Sequence, residues 1–221
     1  MTIPLNEDCR PFLKELADFI KCDVSILNQF YRDFPNPARW GGGTVEPAVG
    51  QLLYILTRFF APVKALEIGT NFGYSTYCIA KALQDNSLGL LMTFEIEEEF
   101  ATAAELRLEK LWDYIDFRIG DSRQILYTSL KRNYFNPDLV FIDSDHTYET
   151  TKIEMEICLK TMNKGGVILL HDIFSDGVGR YLNGFNYPDF RTHYIPTQPN
   201  TGFGILMHES TSNTEPVFSL R

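Results

Sequence analysis

Residues 63–82, VKALEIGTNFGYSTYCIAKA, constrain the fold of this 221-residue chain more than any other stretch. Val63, Ala65, Leu66 and Ile68 form an apolar run too short for a helix, and Gly69 ends it. Gly69-Thr70-Asn71-Phe72-Gly73 then reads as a turn with a glycine at each end. From Ser75 the pattern is helical: Ser75 or Thr76 can cap, and Cys78, Ile79 and Leu83 recur at helical spacing. A strand feeding a helix through a glycine turn is the opening unit of an open α/β sheet. Ligands in such sheets bind outside the carboxyl ends of the strands.

The turn also restricts the ligand. A dinucleotide fingerprint needs G-x-G-x-x-G, whose middle glycine lets the backbone approach a pyrophosphate. Asn71 occupies that middle position and no Walker lysine follows, which disfavours an NAD-dependent oxidoreductase. Glu67 puts a carboxylate at the strand end, repelling an anion and favouring a ligand with an ammonium or sulfonium group. S-adenosylmethionine (SAM) carries both, together with a ribose and an adenine. E-I-G-x-x-x-G resembles the first motif of the class I SAM-dependent methyltransferases.

The later strands repeat the pattern of an apolar run ending in a polar group. Leu88–Glu95 predicts a second strand, and a carboxylate at its end can accept both ribose hydroxyls, so Glu95 is the ribose candidate. Glu97, Glu98 and Glu99 read as the acidic first turn of a helix that continues to about Leu111. A third strand over Ile115–Ile119 ends in Gly120-Asp121-Ser122, where Asp121 can also cap the next helix. Asp138–Asp143 predicts a fourth strand delivering Ser144, Asp145 and His146, followed by a helix from about Tyr148 to Met162 with Ile153, Ile157 and Leu159 inward. Val167–Leu170 predicts a fifth strand delivering His171 and Asp172. Phe174–Pro188 suits an irregular helix and a substrate-facing loop, and Phe190–Ile195 and Thr201–Met207 read as two closing strands.

Upstream, helical stripes over Pro11–Ile20 and about Val24–Tyr31 precede the loop FPNPARWGGGTVEP, a candidate hinge or lid. A third helix from Glu46 leads into the first strand. The domain division is therefore an N-terminal helical extension or lid over 1–45 and one α/β domain over 46–221. The tail after His208 reads as polar and frayed.

The net charge of −9 without a basic patch argues against a nucleic-acid substrate. No apolar run approaches the ~20 residues of a membrane span, and MTIPLNEDCR lacks both regions of a signal peptide, so a cytoplasmic protein without a membrane partner is expected. Cys9, Cys22, Cys78 and Cys158 are scattered and read as free thiols.

The order of glycine turn, acid, Gly-Asp, F-I-D and K-G-G-x-x-x-x-H-D matches the class I methyltransferases over roughly residues 45–210. The segment V-E-P-A-V-G-Q-L-L before E-I-G-x-x-x-G-Y-S-T is similar to the catechol and caffeoyl-CoA O-methyltransferase group. The resemblance implies a Rossmann-like seven-stranded mixed sheet, order 3-2-1-4-5-7-6 with strand 7 antiparallel, flanked by helices. It implies SAM as cofactor and a homodimer. Its cofactor residues map onto Glu67, Gly69, Thr70, Asn71, Gly73, Ser75, Glu95, Ile96, Asp121, Ser122 and Asp143, with Asp121 beside the adenine amine.

Methyl transfer from a sulfonium is a direct displacement, so the protein mainly aligns donor and acceptor. A hydroxyl acceptor must also lose a proton, to a base or under the influence of a metal. In the catechol-type group a metal is held by an aspartate after strand four and an Asp-Asn pair after strand five. Asp143 and Asp172 match, but Ile173 stands in place of the asparagine and His146 in place of the group's catalytic lysine. Two readings stay open: Asp143 and Asp172, with Asp145 or His146, hold Mg²⁺ or another divalent ion, or His146 or His171 is the base without metal. Asp143, His146 and His171 are the catalytic candidates in either case. Trp40, Phe174, Tyr181, Phe185 and Tyr187 are candidates for an acceptor pocket. The expected activity is O-methylation of a small molecule, with small-molecule N-methylation and SAM binding without transfer as alternatives.

Overall fold

A computed structural model describes residues 44–131, 135–198 and 201–209. The two helical stripes expected before residue 32, most of the 1–45 extension, Trp40, Cys9, Cys22 and the polar tail lie outside the described residues. Seven strands form one sheet: β1 (Lys64–Ile68), β2 (Leu90–Glu95), β3 (Ile115–Ile119), β4 (Leu139–Ile142), β5 (Val167–Leu170), β6 (Phe190–Gln198) and β7 (Thr201–His208). Their order is β3-β2-β1-β4-β5-β7-β6. The first five are parallel, and β7 runs antiparallel to both β5 and β6. The expected topology and strand direction are therefore those observed.

Helices cover both faces: α1 (Pro47–Phe60), α2 (Tyr74–Asn86), α3 (Glu98–Leu108), α4 (Ser122–Lys131), α5 (Tyr148–Thr161) and α6 (Asp176–Asn183). Because strand side chains alternate, the apolar strands divide their residues between two cores. Ala65, Leu91, Leu139, Phe141 and Leu169 pack with Leu53 and Leu56 of α1 and Cys78, Ile79 and Leu83 of α2. Leu66, Ile68, Val140, Ile142, Ile168 and Leu170 pack with Leu126 of α4, Met155 and Cys158 of α5 and Val178 of α6. Both described cysteines, Cys78 and Cys158, are buried free thiols.

Several local expectations are corrected. Neither Ser75 nor Thr76 caps α2. Gly73 does, at φ +85°, and the Thr76 hydroxyl turns inward to a Glu67 oxygen 2.6 Å away. Val63 and Leu88 lie outside the strands and are exposed, so burial begins only once the sheet pairs. The helix expected to reach Leu111 ends at Leu108 and tightens into a 3₁₀ segment, Glu109–Tyr114, that turns the chain into β3. Ile153 is exposed. The inward stripe of α5 is Thr151, Glu154, Met155 and Cys158 instead, because the α5 axis presents those positions to the sheet.

Candidate active site

The sheet order reverses direction between β1 and β4, and a cleft opens there at the carboxyl ends of the strands. Gly69 makes this junction close. Its φ is +97°, and a Cβ at this position would stand 2.2 Å from the Asp143 carbonyl oxygen. With no side chain in the way, the Gly69 and Thr70 amides both donate to the Phe94 carbonyl at 3.1 Å. Asn71 follows at φ +48°, in the left-handed region that asparagine enters more readily than most residues. Its amide donates to Glu95 Oε2 at 2.6 Å, and its own Oδ1 accepts from the Phe72 amide at 2.7 Å. The other Glu95 oxygen accepts from the Glu97 amide at 2.9 Å, so two turns fix the carboxylate in place.

A cleft of about 360 Å³ runs from this turn across the ends of β2, β3 and β4. Gly69, Asn71, Glu95, Ile96, Asp121, Ser122 and Asp143, all cofactor candidates from the sequence, line it. Thr70 and Ser75 line a narrow crevice beside it, together with Gly69 and Asp143. Gly73 lies in neither wall and acts through the helix start. Glu67 is placed differently from the expectation: it is fully buried beneath the turn, and its Oε2 accepts from Thr76 and Thr93 at 2.6 and 2.7 Å. Burial pushes its carboxyl up to about 7, although the Thr76 and Thr93 hydroxyls pull the other way. Its reach is through the wall of the cleft rather than into it. Asp121 does cap α4, accepting from the Arg123 amide at 2.9 Å, and it is paired with the Arg123 guanidinium at 2.6 Å.

Asp143 also belongs to a second group. Its Oδ1 accepts from His146 Nε2 at 3.0 Å and His171 Nδ1 at 3.2 Å. Asp172 Oδ2 lies 3.4 Å from His146 Nε2 and 3.7 Å from His171 Nδ1. His146 and Asp172 both have positive φ, +59° and +50°, a strained backbone state of the kind that gathers at functional sites. The far nitrogen of His171, Nε2, is 3.0 Å from Glu46 Oε2, and the other Glu46 oxygen accepts from the Thr201 hydroxyl at 2.9 Å.

The electrostatics follow from this packing. Burial alone would raise the Asp143 carboxyl, but hydrogen bonds from His146 and His171 outweigh it and hold the group below its ordinary range. Burial opposes a charge on His171, yet its bonds to Asp143 and Glu46 carry it up to about 10. His146 is raised in the same way: Asp143 overcomes the cost of burial. Glu46 is lowered, chiefly by the hydrogen bond from His171.

Asp143, His146, His171 and Asp172 each offer a ligand atom, and the four atoms lie within 4.8 Å of one another. Two carboxylates and two imidazoles fit a divalent cation, and the imidazoles favour an ion that accepts nitrogen over Mg²⁺. His171 turns one nitrogen to the cluster and the other to Glu46, the arrangement by which a carboxylate orients a ligating histidine. Asp145 takes no part in this group. Its oxygens serve the Thr147 amide and hydroxyl and the Thr150 hydroxyl at the start of α5.

The aromatic candidates form a separate chain. Tyr148, Tyr181, Phe185 and Tyr187 follow one another at centroid separations of 6.4, 6.3 and 4.8 Å. Tyr181, Phe185 and Phe174 pack against the core on the α5–α6 side, and none of these aromatics lines the cleft. Two acids were missed by sequence reasoning, the half-buried Glu46 and the fully buried Glu154. Glu154 did carry a signal, being an acid on the inward stripe of an amphipathic helix.

A seven-stranded sheet of this order, with an acid-lined cleft at its switch point, is the fold of the class I SAM-dependent methyltransferases. Residues 66–173 match a family model described as a methyltransferase domain. A protein of Mycolicibacterium paratuberculosis bearing the provisional name O-methyltransferase is 34% identical over 139 residues, 59% of this chain and 57% of its own. A catechol O-methyltransferase of Niastella koreensis is 29% identical over 136 residues, 61% of this chain and 60% of its own. The chain thus spans about three fifths of the length of the curated relatives it matches. Among solved structures, the O-methyltransferase TomG of Streptomyces achromogenes, in complex with SAM, superposes with a TM-score of 0.66 at 27% identity, covering 85% of this chain and 89% of that one. An O-methyltransferase of Bacillus cereus shares the fold at a TM-score of 0.72 and 23% identity, over 89% of this chain and 96% of that one.

Proposed function

We infer that this protein transfers a methyl group from SAM to a hydroxyl of a small molecule. The observation that carries the reading is the position of Asp143, which lines the cofactor cleft and is also the centre of the histidine–carboxylate cluster. The transferable end of a cofactor bound along Gly69 and Glu95 would meet the groups able to handle an acceptor proton. The O-methyltransferase names of the relatives and the SAM bound to the Streptomyces structure point the same way.

In this mechanism the Glu95 carboxylate receives the ribose hydroxyls, with its orientation set by the amides of Asn71 and Glu97. The glycine turn lets the donor approach the end of β4. His146, in its neutral form, donates its Nε2–H to Asp143 and takes the acceptor's proton at Nδ1, and Asp143 and Asp172 stabilise the resulting imidazolium. Glu46 and Asp143 hold the His171 ring between them, closing the site on the β5 side. A divalent cation, when held by Asp143, Asp172 and the two imidazoles, would lower the pKa of the acceptor hydroxyl. The 1–45 segment as a lid, a homodimer, a cytoplasmic location and the absence of a nucleic-acid partner complete the reading. Support for the last is the −9 net charge. No described helix is long and apolar enough to cross a membrane.

The test is calorimetric titration with S-adenosylhomocysteine, repeated with EDTA and with added Mg²⁺ or Mn²⁺, then turnover of SAM against hydroxylated aromatic acceptors. Micromolar binding and methylation at oxygen are expected. No binding under any of these conditions would sink the assignment.

A further inference from the structure

We propose that Glu154 is a positioning residue that makes the far end of the cleft selective for a 6-aminopurine, by turning the hydroxyls of Ser122 and Ser144 into pure hydrogen-bond acceptors. This deepens the SAM reading above and rests on it. Glu154 sits on α5 and is fully buried, a costly place for a carboxylate unless each oxygen is satisfied. Both oxygens are. The Ser122 hydroxyl donates to Oε1 at 2.6 Å and the Ser144 hydroxyl donates to Oε2 at 2.7 Å.

Ser122 opens α4 after β3, and Ser144 follows β4. One acid therefore ties together two walls of the cleft, and all three residues line it. A hydroxyl has one proton and two lone pairs. With both protons committed to Glu154, each serine has only lone pairs left to offer a ligand.

The direction of the cleft says which part of the ligand meets them. Gly69 and Asp143 mark the end where methyl transfer would occur, and Glu95 marks the ribose. Gly120, Ser122 and Arg123 after β3 and Ser144 and Asp145 after β4 form the remaining walls, and the shared contact with Glu154 brings the two serines together where the base would lie. An exocyclic amine at purine C6 donates to such acceptors. A carbonyl at the same position would face them with lone pairs against lone pairs, leaving buried acceptors unmatched. Asp121, the sequence candidate for this contact, already spends both oxygens on Arg123. Burial raises the Glu154 carboxyl to about 7, against the pull of the Ser122 and Ser144 hydroxyls. Asp145 raises it further and Arg123 lowers it, and the ionised form present above that value is the one that accepts from both serines.

The test uses the full chain at pH 8 and compares binding of S-adenosylhomocysteine with S-inosylhomocysteine, in which a C6 carbonyl replaces the amine and N1 carries a proton. The wild-type protein is expected to favour the adenosyl ligand by about tenfold or more. In Glu154→Gln, the amide NH₂ must donate to one serine and so drives that hydroxyl proton into the cleft. The preference then falls towards one or inverts. Ser122→Ala and Ser144→Ala each remove one acceptor and reduce the preference without inverting it, and they carry the test if the Gln variant does not fold. A purely structural role for Glu154 would weaken both ligands by the same factor, and an unchanged ratio in the variants would overturn the proposal. So would a wild-type ratio near one. If S-adenosylhomocysteine binds but the ratio is unmoved, the SAM reading stands and only the role of Glu154 fails. If no form binds it, both fall.

Discussion

At the ends of β1 and β2 the cleft is built from backbone. Amides of Gly69, Thr70, Asn71 and Glu97 fix the turn and the Glu95 carboxylate, all within a stretch of about 30 residues. At the ends of β4 and β5 it is built from side chains. Asp143, His146, His171 and Asp172 converge there, and Glu46 reaches His171 from 125 positions away. A site made of backbone tolerates most side chains but no change in the path of the chain, whereas a site made of side chains has the opposite sensitivity. Gly69 is where the two meet, since it lies against the Asp143 carbonyl.

Gly69→Ala should therefore give the largest effect. The added Cβ would sit 2.2 Å from a backbone oxygen at a φ of +97°, so neither chain can yield cheaply. A loss of about 3–5 kcal/mol of stability is expected, together with S-adenosylhomocysteine binding and turnover at once. A variant that melts normally and still binds would break the contrast between the halves.

His146→Ala should separate them. Turnover of SAM is expected to fall by about 10²- to 10⁴-fold, the usual worth of a positioned base. Affinity for S-adenosylhomocysteine should stay within about threefold of the wild type, because His146 does not line the cofactor cleft. Parallel loss of binding and turnover would show that the cluster belongs to the cofactor site.

Much of the backbone half was legible in the sequence because its chemistry is local. Two glycines, an asparagine and a strand-end glutamate within one βα unit specify a turn whatever the rest of the chain does. The sheet order was legible too, through the resemblance and the regular alternation of apolar strands with amphipathic helices. What could not be read was depth. Glu67 looked like a ligand-facing carboxylate, yet it lies one residue before the end of β1 with its side chain under the turn. Glu46 and Glu154 were passed over for the converse reason: their partners, His171 and the two serines, are distant in sequence and only the packing of α1 and α5 brings them together.

The depth of Glu67 has a measurable signature. Its carboxyl titrates near 4.5 in the unfolded chain and near 7 when buried in the folded protein. Between those values the unfolded state has already lost the proton that the folded state keeps. Its contribution to stability thus falls as pH rises through this window and levels off above 7. The change is about 3 kcal/mol at most. Subtracting the pH–melting curve of Glu67→Gln from that of the wild type should isolate it, and a flat difference would mean that the carboxyl is solvated after all.

Glu46 supplies the smallest and most informative effect. It does not line the cofactor cleft, and among the described residues its carboxylate hydrogen-bonds to His171 and Thr201. If the acceptor half depends on the orientation of its side chains, removing this carboxylate frees the His171 ring to turn, even though every group nearer the chemistry is intact. Glu46→Ala is expected to lower turnover by about 10- to 100-fold and to leave S-adenosylhomocysteine affinity unchanged. Thr201→Ala should lower turnover less, since it removes one support of Glu46 and leaves the contact with His171. Full turnover in both variants would mean that Asp143 alone holds the ring, and that the acceptor half is as local as the cofactor half.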